Sequence, residues 1–150
     1  MATILVVDEN HVERRVMRMT LEGEGHRVAE ASDGAQALRL VASFAFDVVV
    51  AAMDLAEVDG YSLIAKIRTL EGRESTQFIA VLEQMDEKGP VESFMAGASD
   101  IIVRPFGAHD LRAVIERASA KDTIDVRDRL VGIQLDAYET AVRLQKQARR

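Results

Sequence analysis

Thr3-Ile4-Leu5-Val6-Val7-Asp8-Glu9 is the stretch on which the fold turns. Its unbroken apolar run, without polar alternation, is what a strand buried on both faces of a parallel sheet requires. An acidic pair closes it. Directly after, Asn10 can cap a helix and Glu13 stands three positions on, in capping-box spacing. Val12, Val16 and Met19 then recur at helical intervals until Gly23 and Gly25 stop the helix. A strand followed at once by a helix is one βα unit, and the chain goes on to repeat it.

His26 to Ala31 reads as a half-buried strand, Asp33-Gly34 as a turn, and Ala35 to Ser43 as a helix with Ala37, Leu38 and Val41 inward. Asp47 to Ala52 is the third strand, and Asp59-Gly60 precedes a helix from Tyr61 to Leu70 carrying Leu63, Ile64 and Ile67 on its apolar side. Phe78 to Leu82 gives a fourth strand, Pro90 to Ala96 a helix closed by Gly97, Ile101 to Val103 a fifth strand before Arg104-Pro105, and Ala108 opens a fifth helix. Five βα units over residues 1–120 imply an α/β fold, a doubly wound five-stranded parallel sheet with helices on both faces, because each crossover is right-handed. In such folds the ligand site lies at the carboxyl ends of the strands.

From Asp125 to Arg150 the alternation gives way to a helical pattern with Val131, Leu135, Tyr138 and Val142 on one stripe. Residues 121–150 are therefore expected to be an amphipathic helical extension of a domain spanning 1–120. A second copy of the chain or another protein is expected to cover that stripe ahead of the domain's own surface, because a complete five-unit fold leaves little unfilled core.

Bulk properties exclude several classes. There is no cysteine, hence no disulfide, thiolate metal site or cysteine nucleophile. No apolar run approaches the roughly 20 residues that span a bilayer, so the expectation is a cytoplasmic protein without membrane contact. Of the formal charge of −6, residues 121–150 contribute seven Lys/Arg against five Asp/Glu, which leaves the body more acidic than the whole and unsuited to nucleic acid. His11, His26 and His109 lack ligand spacing and read as surface or cap residues, Gly23-Glu24-Gly25 as a helix stop, and Met17, Met19 and Met95 as core filler.

The strand ends carry a more specific signal. Ile4-Leu5-Val6-Val7-Asp8-Glu9, Ala31-Ser32-Asp33-Gly34-Ala35, Val58-Asp59-Gly60, Gly97-Ala98 and Arg104-Pro105-Phe106, in this order and register, resemble the receiver domain of two-component response regulators. The resemblance covers about Ile4 to Ala118 and implies the strand order 2-1-3-4-5. It further implies that an acidic pair after strand one holds Mg²⁺, that an aspartate ending strand three accepts a phosphoryl group, and that a hydroxyl after strand four and a lysine after strand five grip the phosphoryl oxygens. Such chemistry needs carboxylate oxygens for a hard dication and positive charge around the developing phosphate.

This chain departs from that pattern in one cluster. The acceptor position falls on Ala52, the hydroxyl position on Leu82, the lysine position on Arg104, and the proline before Asp59-Gly60 on Ala56. Ile101 stands where an aromatic residue often reports activation. Asp8 and Glu9 remain, and alone they are expected to bind Mg²⁺ weakly, with no other cofactor. Asp54 is a displaced acceptor candidate whose loop position aims it away from the strand axis. The expectation is a degenerate receiver that is not an enzyme and acts by binding a histidine kinase, phosphotransferase or downstream target, with possible pairing of two copies through the last helix and no direct DNA contact. Two alternatives accompany it. One is a phosphoacceptor represented by an Asp-to-Ala change at position 52, against which Ala56, Leu82 and Arg104 argue; the other is a sensor whose Arg104 or last-turn arginines bind an anionic nucleotide.

Overall fold

A computed structural model describes residues 1–83 and 88–119. The strands are β1 (Thr3–Val7), β2 (Arg27–Ala31), β3 (Val48–Ala52), β4 (Gln77–Leu82) and β5 (Asp100–Val103); the helices are α1 (His11–Gly23), α2 (Gly34–Ser43), α3 (Gly60–Thr69), α4 (Lys88–Ala96) and α5 (Ala108–Ser119). All strand pairs are parallel and the order is β2-β1-β3-β4-β5, as the resemblance implies. The proposed extension over 121–150, with Val131, Leu135, Tyr138 and Val142, lies outside the described residues.

β1 and β3 are central and their aliphatic side chains are buried on both faces, which is why neither sequence alternates. One face of the sheet packs Ile4, Val6, Val48, Val50, Ile79 and Val81 against Met17 and Leu21 of α1 and Leu111, Val114 and Ile115 of α5. The opposite face packs Leu5, Val49, Phe78 and Ala80 against Ala37 and Val41 of α2 and Leu63, Ile64 and Ile67 of α3. Ile101 is half-buried against this second layer.

Three helices start on side-chain caps: Asn10, Asp33 and Asp59 accept from the backbone N–H of Glu13, Gln36 and Ser62 respectively. The glycines beside two of these caps are fixed by space. A Cβ on Gly60 would lie 2.5 Å from Met53 Sδ and 2.6 Å from Met53 Cα, and one on Gly34 would lie 2.2 Å from the Val58 carbonyl oxygen. Each Asp-Gly pair thus starts a helix and lets it close onto the loop after β3, which holds that loop over the strand ends.

The structure corrects three features of the sequence reading. On α1 the stripe Val12, Val16 and Met19 is 68%, 57% and 65% exposed, while Met17 and Leu21 enter the core; Met95 is also exposed and is not core filler. The cause is Glu30 on β2, which pairs with Arg14 at 3.0 Å and Arg18 at 2.8 Å. These pairs hold the Arg14 and Arg18 side of α1 toward β2 and leave the apolar stripe on the opposite, solvent-facing side. The capping box is also only half formed. The Asn10 side chain caps Glu13 at 3.0 Å, but the Asn10 N–H donates to Asp8 Oδ1 at 2.9 Å instead of to Glu13.

Candidate functional site at the strand ends

Parallel register brings the carboxyl ends of β1, β3, β4 and β5 to one edge: Val7 stands beside Ala51, Ala52 beside Val81, and Leu82 beside Val103. The residues that follow these strands line a cavity of about 250 Å³, made by Asp8, Glu9, Asn10, Glu13, Ala52, Asp54, Leu55, Glu83 and Arg104. Of the residues singled out from sequence, five meet here. Leu82 does not line it; its side chain is buried at the end of β4 and borders a neighbouring cavity with Met53, Tyr61 and Val81.

Asp8 is 4% exposed and every one of its oxygens is engaged. Oδ1 accepts from the Asn10 N–H at 2.9 Å, Oδ2 accepts from Arg104 Nη2, and the backbone carbonyl accepts from Arg14 Nη1 at 2.8 Å. Arg104 reaches in from the end of β5, where its peptide bond to Pro105 is cis. Besides Asp8 it donates through Nη1 to Glu83, and its Nη2 lies 3.2 Å from Glu13 Oε2. Burial disfavours the guanidinium charge, but the carboxylates of Asp8, Glu13 and Glu83 outweigh it and hold the group above its ordinary pKa. Glu9 turns the other way and accepts from the Ala56 N–H. It thereby fastens the loop after β3 to the end of β1.

Ala52 ends β3 and is buried, at 2% exposed, and Asp54, two residues on, is exposed in the loop. The donor set does not fit a resident Mg²⁺ ion. Asp8 is committed to a cation of the protein's own, Glu9 to a backbone N–H, and β3 supplies no third carboxylate, whereas a hard dication demands several free oxygens. Among the described residues no three His, Asp or Glu side chains are grouped to hold a metal.

Two pairings in the site escaped sequence reasoning. Glu13 was assigned to a cap, and Glu83, beside Leu82 at the end of strand four, was given no partner; both pair with Arg104, 91 and 21 residues away in sequence. No local pattern marks either residue as a partner of Arg104, although an arginine in place of a lysine at a strand end can engage more than one carboxylate through its fork. A second, larger groove of about 470 Å³ adjoins the site, lined by Val12, Val16 and Met17 of α1, by Pro105 and Phe106, and by Glu13, Glu83 and Arg104, which it shares with the first cavity.

Comparison with known proteins agrees with this geometry. The response regulator receiver domain family matches residues 4–116. The transcriptional regulatory protein SrrA of Staphylococcus aureus is 32% identical over 108 residues, which cover 72% of this chain and 44% of SrrA, so the chain spans less than half the length of that relative. Among solved structures, the receiver domain of the sensor histidine kinase PA1611 from Pseudomonas aeruginosa, with a magnesium ion coordinated in its active site cleft, is 29% identical with a TM-score of 0.74, covering 80% of this chain and 98% of that one. A response regulator from Chloroflexus aurantiacus is 25% identical with a TM-score of 0.77 over the same shares. The chain therefore belongs to the response regulator receiver domains of two-component signalling.

Proposed function

We propose that this receiver domain signals through protein contacts and takes up no phosphoryl group at the end of β3. The observation that carries the reading is Ala52, whose methyl group stands at the cavity where the resemblance places the acceptor carboxylate. Forming an acyl phosphate requires a carboxylate oxygen to attack phosphorus, and alanine has none. Leu82 offers no hydroxyl to a phosphoryl oxygen, and Arg104 is engaged by carboxylates. Glu9, Glu13, Asp54 and Glu83 line the same cavity and repel an anion, and its arginine is already paired with carboxylates, which argues against an anionic nucleotide there. The test is intact-mass measurement of the chain after incubation with acetyl phosphate and Mg²⁺. The expected result is an unchanged mass; a Mg²⁺-dependent phosphoryl adduct, on Asp54 or elsewhere, overturns the reading.

The partner class follows from the family: a histidine kinase, a phosphotransferase or a downstream target. The exposed stripe Val12, Val16 and Met19, continuous with the groove beside Pro105 and Phe106, supports α1 as the docking face. Its apolar side chains, bordered by the charged Glu13, Glu83 and Arg104, suit an amphipathic helix of the partner that brings both an apolar face and charged flanks. Pairing of two copies through Val131, Leu135, Tyr138 and Val142 is a separate element of the proposal. Sedimentation of the intact chain at several concentrations decides it, a concentration-independent monomer ruling it out.

A further inference from the structure

We infer that Arg104 is the resident cation of this site: its guanidinium takes the electrostatic place of a divalent ion, so the domain neither needs nor responds to Mg²⁺. The inference deepens the reading above and rests on it only for the absence of a phosphoryl ligand. Three carboxylates from three separate elements converge on one guanidinium: Asp8 after β1, Glu13 in the first turn of α1 and Glu83 after β4. Left alone, those charges would repel one another at the rim of a cavity from which water is partly excluded. Arg104 supplies the cation among them.

Arginine suits that role where lysine does not. Its planar fork engages two carboxylates at once through Nη1 and Nη2, and its charge is not lost at any physiological pH. Coulombic attraction from Asp8, Glu13 and Glu83 secures it further. The backbone reinforces the arrangement: the Asn10 N–H occupies the other Asp8 oxygen, and Arg14 holds the Asp8 carbonyl while anchored at 3.0 Å to Glu30 on β2. An entering Mg²⁺ would have to expel a tethered cation from Asp8 and pull Glu9 from the Ala56 N–H. It would gain no third carboxylate from β3 in return. The tether also gives Arg104 a high effective concentration that a free ion cannot match.

The experiment is a Mg²⁺ titration of the full chain at constant ionic strength, followed by amide NMR shifts, with Mn²⁺ line broadening as a second probe. The native chain is expected to show no saturable response at Asp8, Glu9 or Glu83 through the millimolar range. Arg104→Gln is expected to open the site, with saturable shifts and an apparent affinity at least about tenfold tighter, or ~1.4 kcal/mol. Arg104→Lys, which keeps the charge but loses the fork that engages Asp8 and Glu83 together, is expected to fall between the native chain and Arg104→Gln. Saturable binding by the native chain, or a folded Arg104→Gln chain that ignores both ions, overturns the inference. If Arg104→Gln does not fold, the native titration still decides. A native chain that binds Mg²⁺ but gains no phosphoryl mass defeats this inference alone, whereas a phosphoryl adduct defeats the proposed function.

Discussion

Replacing Asp8 by asparagine reverses the sign expected of an ordinary acidic cluster. Where several carboxylates crowd together unneutralised, removing one charge relieves repulsion and stabilises the fold. Here the Asp8 side chain is 5% exposed and paired with an Arg104 side chain that is 16% exposed. Asparagine keeps an oxygen for the Asn10 N–H but removes the charge that faces the guanidinium. Breaking a fully buried pair costs about 3–5 kcal/mol; Arg104 retains Glu83 and Glu13 and some solvent, so about 2 kcal/mol is the expected loss. For a chain of this size that lowers Tm by about 4–8 °C. Urea denaturation of the native chain, Asp8→Asn, Arg104→Gln and the double variant measures the loss and, through the cycle, the coupling between the two groups. An Asp8→Asn chain as stable as the native one, or more stable, refutes the internal-cation argument, because it would show that Asp8 is better off without its charge.

Other perturbations test the frame around the site. Gly60→Ala drives a Cβ into Met53 Sδ and Cα, so a destabilisation of about 2–3 kcal/mol is expected from overpacking, read as a lower urea midpoint at an unchanged slope. Arg68→Met is expected to destabilise by about 1–3 kcal/mol, since Arg68 donates to the Gly97 carbonyl at 2.9 Å and to the Thr76 carbonyl at 2.6 Å and its loss leaves those oxygens without that donor. Glu30 gives a pH dependence: burial alone would raise its pKa, but Arg18, Arg14 and Arg15 outweigh that and hold it below the ordinary carboxylate value. A depressed folded pKa means stability that is present above the unfolded pKa and lost as pH falls through the folded one. The stability gap between the native chain and Glu30→Gln is therefore expected to be full at neutral pH and to close in acid, as thermal melts across that range would show.

The sequence carried the architecture because each βα unit announced itself locally. Apolar runs such as Ile4 to Val7 and Val48 to Val50 could only be buried on both faces, and Asn10 marked a helix start that the backbone geometry matches, while Asp33 and Asp59, read as turn residues ahead of helices, prove to be N-caps of helices that begin one residue earlier than expected. The orientation of α1 was not legible, because periodicity records which residues share a stripe but not which way it points. Arg14 and Arg18 look like a solvent face in sequence, yet Glu30 draws them toward β2 and turns Val12, Val16 and Met19 outward. At the site, Asp8, Glu9, Ala52, Asp54 and Arg104 were identifiable because they follow strand ends. Which carboxylate faces which cation depends on chain segments meeting from positions 8, 13, 83 and 104, and no local pattern encodes that. Leu82 was placed at the right strand end, but its side chain lies beneath the neighbouring cavity.

The most direct test of the central claim is the amide NMR spectrum of the intact chain with and without acetyl phosphate and Mg²⁺ together. If, as proposed, the site takes up no phosphoryl group and holds Arg104 in place of a divalent ion, superimposable spectra are expected at the ends of β1, β3, β4 and β5. Concerted shifts of Asp8, Met53, Glu83 and Arg104 that require both reagents would show that the site still takes up a phosphoryl group, and would contradict the account.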